Sequence, residues 1–178
     1  MESQEPIVIA DSEPSISAEA YAAKLQELVT RRLAEQNLML GVIGAVVAAI
    51  VGASIWAAVT VVTEYQIGWM AVGVGFLVGF AVRKLGKGMT SVFGYVGAVG
   101  ALGGCLLGNV LSVCGFAATA NSVPFLSVVV DVLSSPSIVV ELLKETFSPM
   151  DLLFYGIAVY EGYRFSFRQI TQQELDAM

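Results

Sequence analysis

Histidine is absent from the 178 residues, and with it the commonest metal and haem ligand and the commonest general base near neutral pH. Cysteine is nearly absent. Cys105 and Cys114 stand nine residues apart in one apolar run, which in a helix is about 13 Å of rise and half a revolution, too far and on the wrong sides for a disulfide. They read as small packing residues. Charge is also scarce: 13 % of residues are charged, against about 25 % in a soluble domain. The shortage is local. From Leu38 to Val82 Glu64 is the sole Asp, Glu, Lys or Arg, and from Thr90 to Asn121 there is none. No basic stripe exists to neutralise phosphates, which argues against a nucleic-acid partner. The formal net charge of −6 comes mostly from the tails and one extramembrane segment.

What fills the chain instead is apolar: 56 % hydrophobic residues and a mean hydropathy of +0.76. A bilayer core of about 30 Å needs about 20 apolar residues per helix, and runs of this length fit it where a soluble core could not bury them. The expected fold is an all-α membrane protein with four transmembrane helices in a glycine-rich bundle. Residues 1–15 are expected as a disordered acidic leader carrying Pro6 and Pro14, with no secretory signal. Residues 16–37 are expected as an amphipathic cytoplasmic helix. The spans are placed at about 38–62, 67–82, 92–118 and 149–167. Between the last two, residues 121–148 are cut by Pro124, Ser134, Ser135 and Pro136 into a pair of short amphipathic helices. Ser148-Pro149-Met150-Asp151 supplies a cap, a proline at the first position and a first-turn acid for the last helix. Residues 169–178 form a tail. In this four-span arrangement eight of the nine basic residues lie on one side, with Lys144 alone on the other. The positive-inside rule puts that side, and both termini, in the cytoplasm.

Small residues recur at four-residue spacing: Gly100, Gly104 and Gly108 in the third span, Gly75 and Gly79 in the second, and Gly41, Ala45, Ala49 and Ala53 in the first. Lipid offers no hydrophobic drive for helices to associate, so such faces matter because they let backbones approach. They are read as helix-packing faces within the chain, with Gly100, Gly104 and Gly108 as the alternative face for oligomerisation. Polar groups at depth mark candidate function. Asn109 shares a helical side with Cys105 and Ser112, and Asp151 shares one with Tyr155. Asn109, Asp151 and Tyr155 form the candidate polar path. Glu161 with Arg164 and Arg168 is expected as an interfacial ion pair. No catalytic constellation, cofactor site or metal site is visible, because the serines lack a histidine and no acid pair has a frame.

Arg83-Lys-Leu-Gly-Lys-Gly before a glycine-rich span, and Phe147-Ser-Pro-Met-Asp-Leu-Leu-Phe-Tyr-Gly-Ile-Ala-Val-Tyr-Glu-Gly-Tyr-Arg164, resemble a group of uncharacterised bacterial multi-span inner-membrane proteins. The resemblance covers about residues 67 to 168. In that group the transmembrane unit often follows a small soluble module, which a short acidic leader and helix replace here. The resemblance implies a bacterial inner-membrane setting. The expected function is a non-enzymatic structural or accessory subunit in contact with membrane lipid, assembling through glycine-faced helices as a homo-oligomer or in a larger membrane complex. The competing class is a small oligomeric channel or transporter.

Overall fold

The computed structural model describes residues 17–65, 67–170 and 174. The expected acidic leader and most of the expected tail lie outside the described residues. Among these there are seven α-helices and no strand: α1 (Ala18–Glu35), α2 (Leu38–Thr63), α3 (Trp69–Gly86), α4 (Ser91–Asn121), α5 (Phe125–Leu133), α6 (Pro136–Thr146) and α7 (Pro149–Phe165). The chain divides into residues 1–31 with 170–178 and residues 32–169. Within the first unit the start of α1 is held by Ser17, whose Oγ accepts from Ala20 N at 3.2 Å.

The second unit is a helical bundle. Helices α2, α3 and α4 are each long and apolar enough to cross a membrane, and α5 with α6, bent by 104° at their break, counts as a fourth if taken together. A helix suits that medium because it satisfies its own amides. Asn37 stops the preceding segment and caps α2, its Oδ1 accepting from Leu40 N at 3.0 Å. The helix expected over 67–82 runs on to Gly86, since Arg83 and Lys84 are well placed against the negative end of a helix rather than in a loop. Its 18 residues give about 27 Å of rise. The last helix stops at Phe165, two residues before the expected end. There Ser166 turns back, its N–H donating to Tyr163 O at 3.3 Å and its Oγ to Gly162 O at 2.6 Å.

Helices α3 and α4 meet along the short diagonal of the bundle, each also packing on α2 and on α7. Small residues set these approaches. An added Cβ on Gly104 would stand 2.7 Å from Val74 Cγ1 and 3.3 Å from Ala49 Cα, and one on Gly100 3.1 Å from Ala45 Cβ. Likewise, an added Cβ on Gly75 would stand 2.7 Å from Ala158 Cα, and one on Gly79 2.9 Å from Phe165 Cβ. Gly97 faces Gly162 O and Ser166 Oγ directly. At the end where α2 begins, Phe93 (2 % exposed) lies against Gly41, Gly86 and Gly88. Between these two glycines Lys87 takes the left-handed conformation that ends α3 (φ 49°). At the opposite end α5 and α6 pack on α4: Val129 is buried there with Ala53, Ala57, Val110, Leu111 and Cys114, and Val139 and Leu143 lean on the same cluster.

Candidate functional site

Four of the five buried polar side chains among the described residues, Thr60, Asn109, Ser112 and Asp151, lie within about two turns of one another in the half of the bundle nearer α5 and α6, and Ser166 lies at the other end. Asn109 on α4 (1 % exposed) donates from Nδ2 to the Tyr155 hydroxyl of α7 at 3.3 Å. Tyr155 meets the Trp56 ring of α2 edge to face, centroids 6.4 Å apart at 81°, and Phe147 from the α6–α7 link at 6.2 Å. The Trp56 and Tyr155 rings thereby bridge the two helices at the far corners of the bundle. Gly108 makes room for this, since a Cβ there would stand 3.0 Å from Trp56 Cε3. Ser112 turns its hydroxyl back to Gly108 O at 2.7 Å.

Of the expected polar path, Asn109 and Tyr155 therefore touch, and Asp151 lies one turn before Tyr155. Asp151 is engaged locally: Oδ2 accepts from Ser148 N at 2.8 Å while Ser148 Oγ accepts from Met150 N at 3.3 Å, a reciprocal cap at the start of α7. Glu64 and Asp131 are both exposed and lie outside this cluster. Two groups were not anticipated. Trp56 and Thr60, one turn apart on α2, are buried, and among the described residues neither Trp56 Nε1 nor Thr60 Oγ1 has a hydrogen-bond partner. The signal was available, because they continue the Ala45, Ala49 and Ala53 face of the same helix at helical spacing.

The other half of the interior is apolar apart from Ser166, whose Oγ bonds back to Gly162 O. Val78, Val82, Ala101 and Phe93 fill it, each no more than 2 % exposed. A cleft of about 420 Å³ opens between α2 and α4 near Phe125. Its two hydroxyls, Ser54 and Thr119, bond back to Ile50 O and Gly115 O, so the cleft presents carbon. Among the described residues no group of three His, Cys, Asp or Glu is placed to hold a metal ion.

The ion pair expected at the end of α7 is not formed among the described residues. Helical spacing does not carry Glu161 to Arg168, because α7 ends at Phe165 and the chain turns at Ser166. Arg168 reaches Glu35 instead, at 3.5 Å, and Arg164 lies over the Tyr160 ring, 5.9 Å from its centroid. Glu35 also accepts from Arg32 Nη1 at 2.9 Å. That hydrogen bond first, and then the charges of Arg32, Lys87 and Arg168, hold the Glu35 carboxyl below the usual carboxylate range despite partial desolvation.

Several apolar helices of spanning length, with charge confined to their ends, are consistent with a multi-pass membrane protein of the all-helical class. No protein-family model, curated protein or solved structure matches the chain.

Proposed function

We propose that this chain is a non-enzymatic structural or accessory subunit of a bacterial inner membrane, with α7 as its fourth span and both termini in the cytoplasm. The observation that carries the reading is the interior itself. Beyond the level of Asn109 and Tyr155 the one buried polar side chain among the described residues is Ser166, which is bonded back to Gly162 O, and Val78, Val82, Ala101 and Phe93 fill the remaining depth. A path for ions or solutes is lined by rings of polar or charged groups with apolar stretches serving only as short gates, and Asp151 is occupied by its cap. With Gly75, Gly79, Gly100, Gly104 and Gly108 set against the chain's own helices, assembly falls to the outward faces and to the α5–α6 pair.

The fourth span rests on the packing of α7 between α3 and α4. Its 17 residues cover about 26 Å, enough with Glu161 and Arg164 at headgroup level. Purification from native membranes in mild detergent is expected to bring down a second copy or a larger complex. A lone monomer at every concentration, together with liposome flux that Asp151→Asn removes, would reverse the assignment. For topology, a cysteine at Tyr65 is expected to be labelled from outside intact cells and one at Lys87 not. The native Cys105 and Cys114 are buried and give a quiet background.

A further inference from the structure

At the end of the bundle where α2 starts and α3 and α7 finish, three chain segments are tied together. Asn37 N–H donates to Gly86 O at 2.9 Å, Arg168 N–H to Gly88 O at 2.8 Å, and Met89 N–H to Gln36 Oε1 at 3.4 Å. The tie fixes where charge falls. Arg32 and Arg168 both approach the Glu35 carboxylate, and Lys87 stands between the two tied carbonyls of Gly86 and Gly88. Three basic residues are thus gathered at this end, and Arg83 and Lys84 stand one turn earlier on α3. Such a cluster on rigid helix ends suits an anion of more than one charge-bearing oxygen.

The same end opens an apolar groove of about 390 Å³ between α2 and α4. Val42 and Val46 form one wall, and Val92, Tyr95 and Val99 the other, all five exposed. Both walls begin at the charged end, since α2 starts just after Glu35 and α4 just after the loop that carries Lys87. By helix rise the α4 wall extends from the first turn to about 12 Å along the helix. A soluble anion would use the cations and leave the groove idle. A neutral lipid would do the reverse.

The geometry points to a site for one anionic phospholipid, its phosphate held by Lys87, Arg168 and Arg32 and one acyl chain lying between α2 and α4. Basic clusters at membrane helix ends on the cytoplasmic side are suited to acidic headgroups. The inference rests on the membrane setting and stands whether or not the chain assembles with a partner.

The test is native mass spectrometry of the full chain, delipidated in detergent and titrated with phosphatidylglycerol or phosphatidylcholine. Phosphatidylglycerol is expected to be retained at least about tenfold better, from two or more near-surface cations. Lys87→Asn is expected to lower that retention about fivefold, in keeping with one cation, while the left-handed backbone at φ 49° suits asparagine and the fold is kept. Val99→Trp, which fills the groove without touching a charge, is expected to weaken phosphatidylglycerol with the cations intact. Circular dichroism melting of each variant separates loss of the site from loss of the fold. Equal retention of the two lipids, an unchanged Lys87→Asn variant, or an unchanged Val99→Trp variant would overturn the proposal. So would displacement of the lipid by millimolar inorganic phosphate, which would make the cluster a phosphate site without the groove.

Discussion

Replacing Gly162 by alanine puts one methyl group where α7 crosses α4. The added Cβ would stand 2.6 Å from Gly97 O and 2.8 Å from Ala101 Cβ, where ordinary contact needs 3.4–4 Å. Neither obstacle can swing aside, because one is main chain and the other is the Cβ of a fully buried alanine. Helix α7 must therefore back away by most of an ångström, which also loosens the approach of Ala158 to Gly75 one turn before. Overpacking of this kind costs about 1–3 kcal/mol, and the better helix propensity of alanine returns up to about 1 kcal/mol. A net loss of about 1–2 kcal/mol is expected, a factor of roughly 5–30 in the folding equilibrium. Gly156→Ala is the control on the same helix: nothing lies within 4 Å of its added Cβ, so it gains the propensity without the clash. The assay is reversible unfolding in mixed micelles with rising dodecyl sulfate, followed by far-ultraviolet circular dichroism. If Gly162→Ala unfolds at the same detergent fraction as Gly156→Ala or beyond it, the close crossing is not what holds α7 in place.

The Asn109–Tyr155 hydrogen bond is expected to couple the two residues by about 0.6 kcal/mol, and by no more than about 1.7 kcal/mol, the range found inside membrane bundles. A double-mutant cycle with Asn109→Ala and Tyr155→Phe in the same micelles measures it, and a zero coupling would mean the bond does not form. The Glu35 cluster gives a pH prediction with a definite sign. Its carboxyl is held below the usual range, so the folded chain favours the ionised form. The stabilisation is complete above the range where an unfolded glutamate titrates and fades as pH falls through the lower folded value. Melting of the wild type should approach that of Glu35→Gln on acidification, and a gap that widens at low pH would show the sign to be wrong.

Much of the bundle was legible because the forces that shape it are local. A run without charge folds in hydrocarbon as a helix that satisfies its own amides, so the spans at about 38–62 and 92–118 could be placed from composition to within three residues of the ends of α2 and α4. Ser148 and Asp151 make a reciprocal cap that depends on three residues of sequence and nothing beyond them. Pairing across space was not legible in the same way. A four-residue glycine spacing announces close approach but not the partner, and only the fold shows Gly104 against both Ala49 and Val74. Glu161 lacks the expected pair for two reasons: Arg164, although on the same helix, lies over the Tyr160 ring, and Arg168 stands beyond Phe165, where Ser166 ends the helix and the chain carries Arg168 to Glu35.

Trp56 shows how the two kinds of information join. Tryptophan in a span suggests an interfacial anchor, which suits exposed Trp69 at the start of α3, yet Trp56 is wholly buried. Its position follows from the face it occupies, the one that carries Ala45, Ala49 and Ala53 against α4. Small residues bring α2 and α4 together along most of that face, and at Gly108 the missing side chain leaves room for one large ring to cross toward Tyr155. The glycine that permits close packing elsewhere thus admits the aromatic bridge here. That bridge sets the level at which Asn109 and Tyr155 meet, so the polar site is a product of the packing rather than an addition to it.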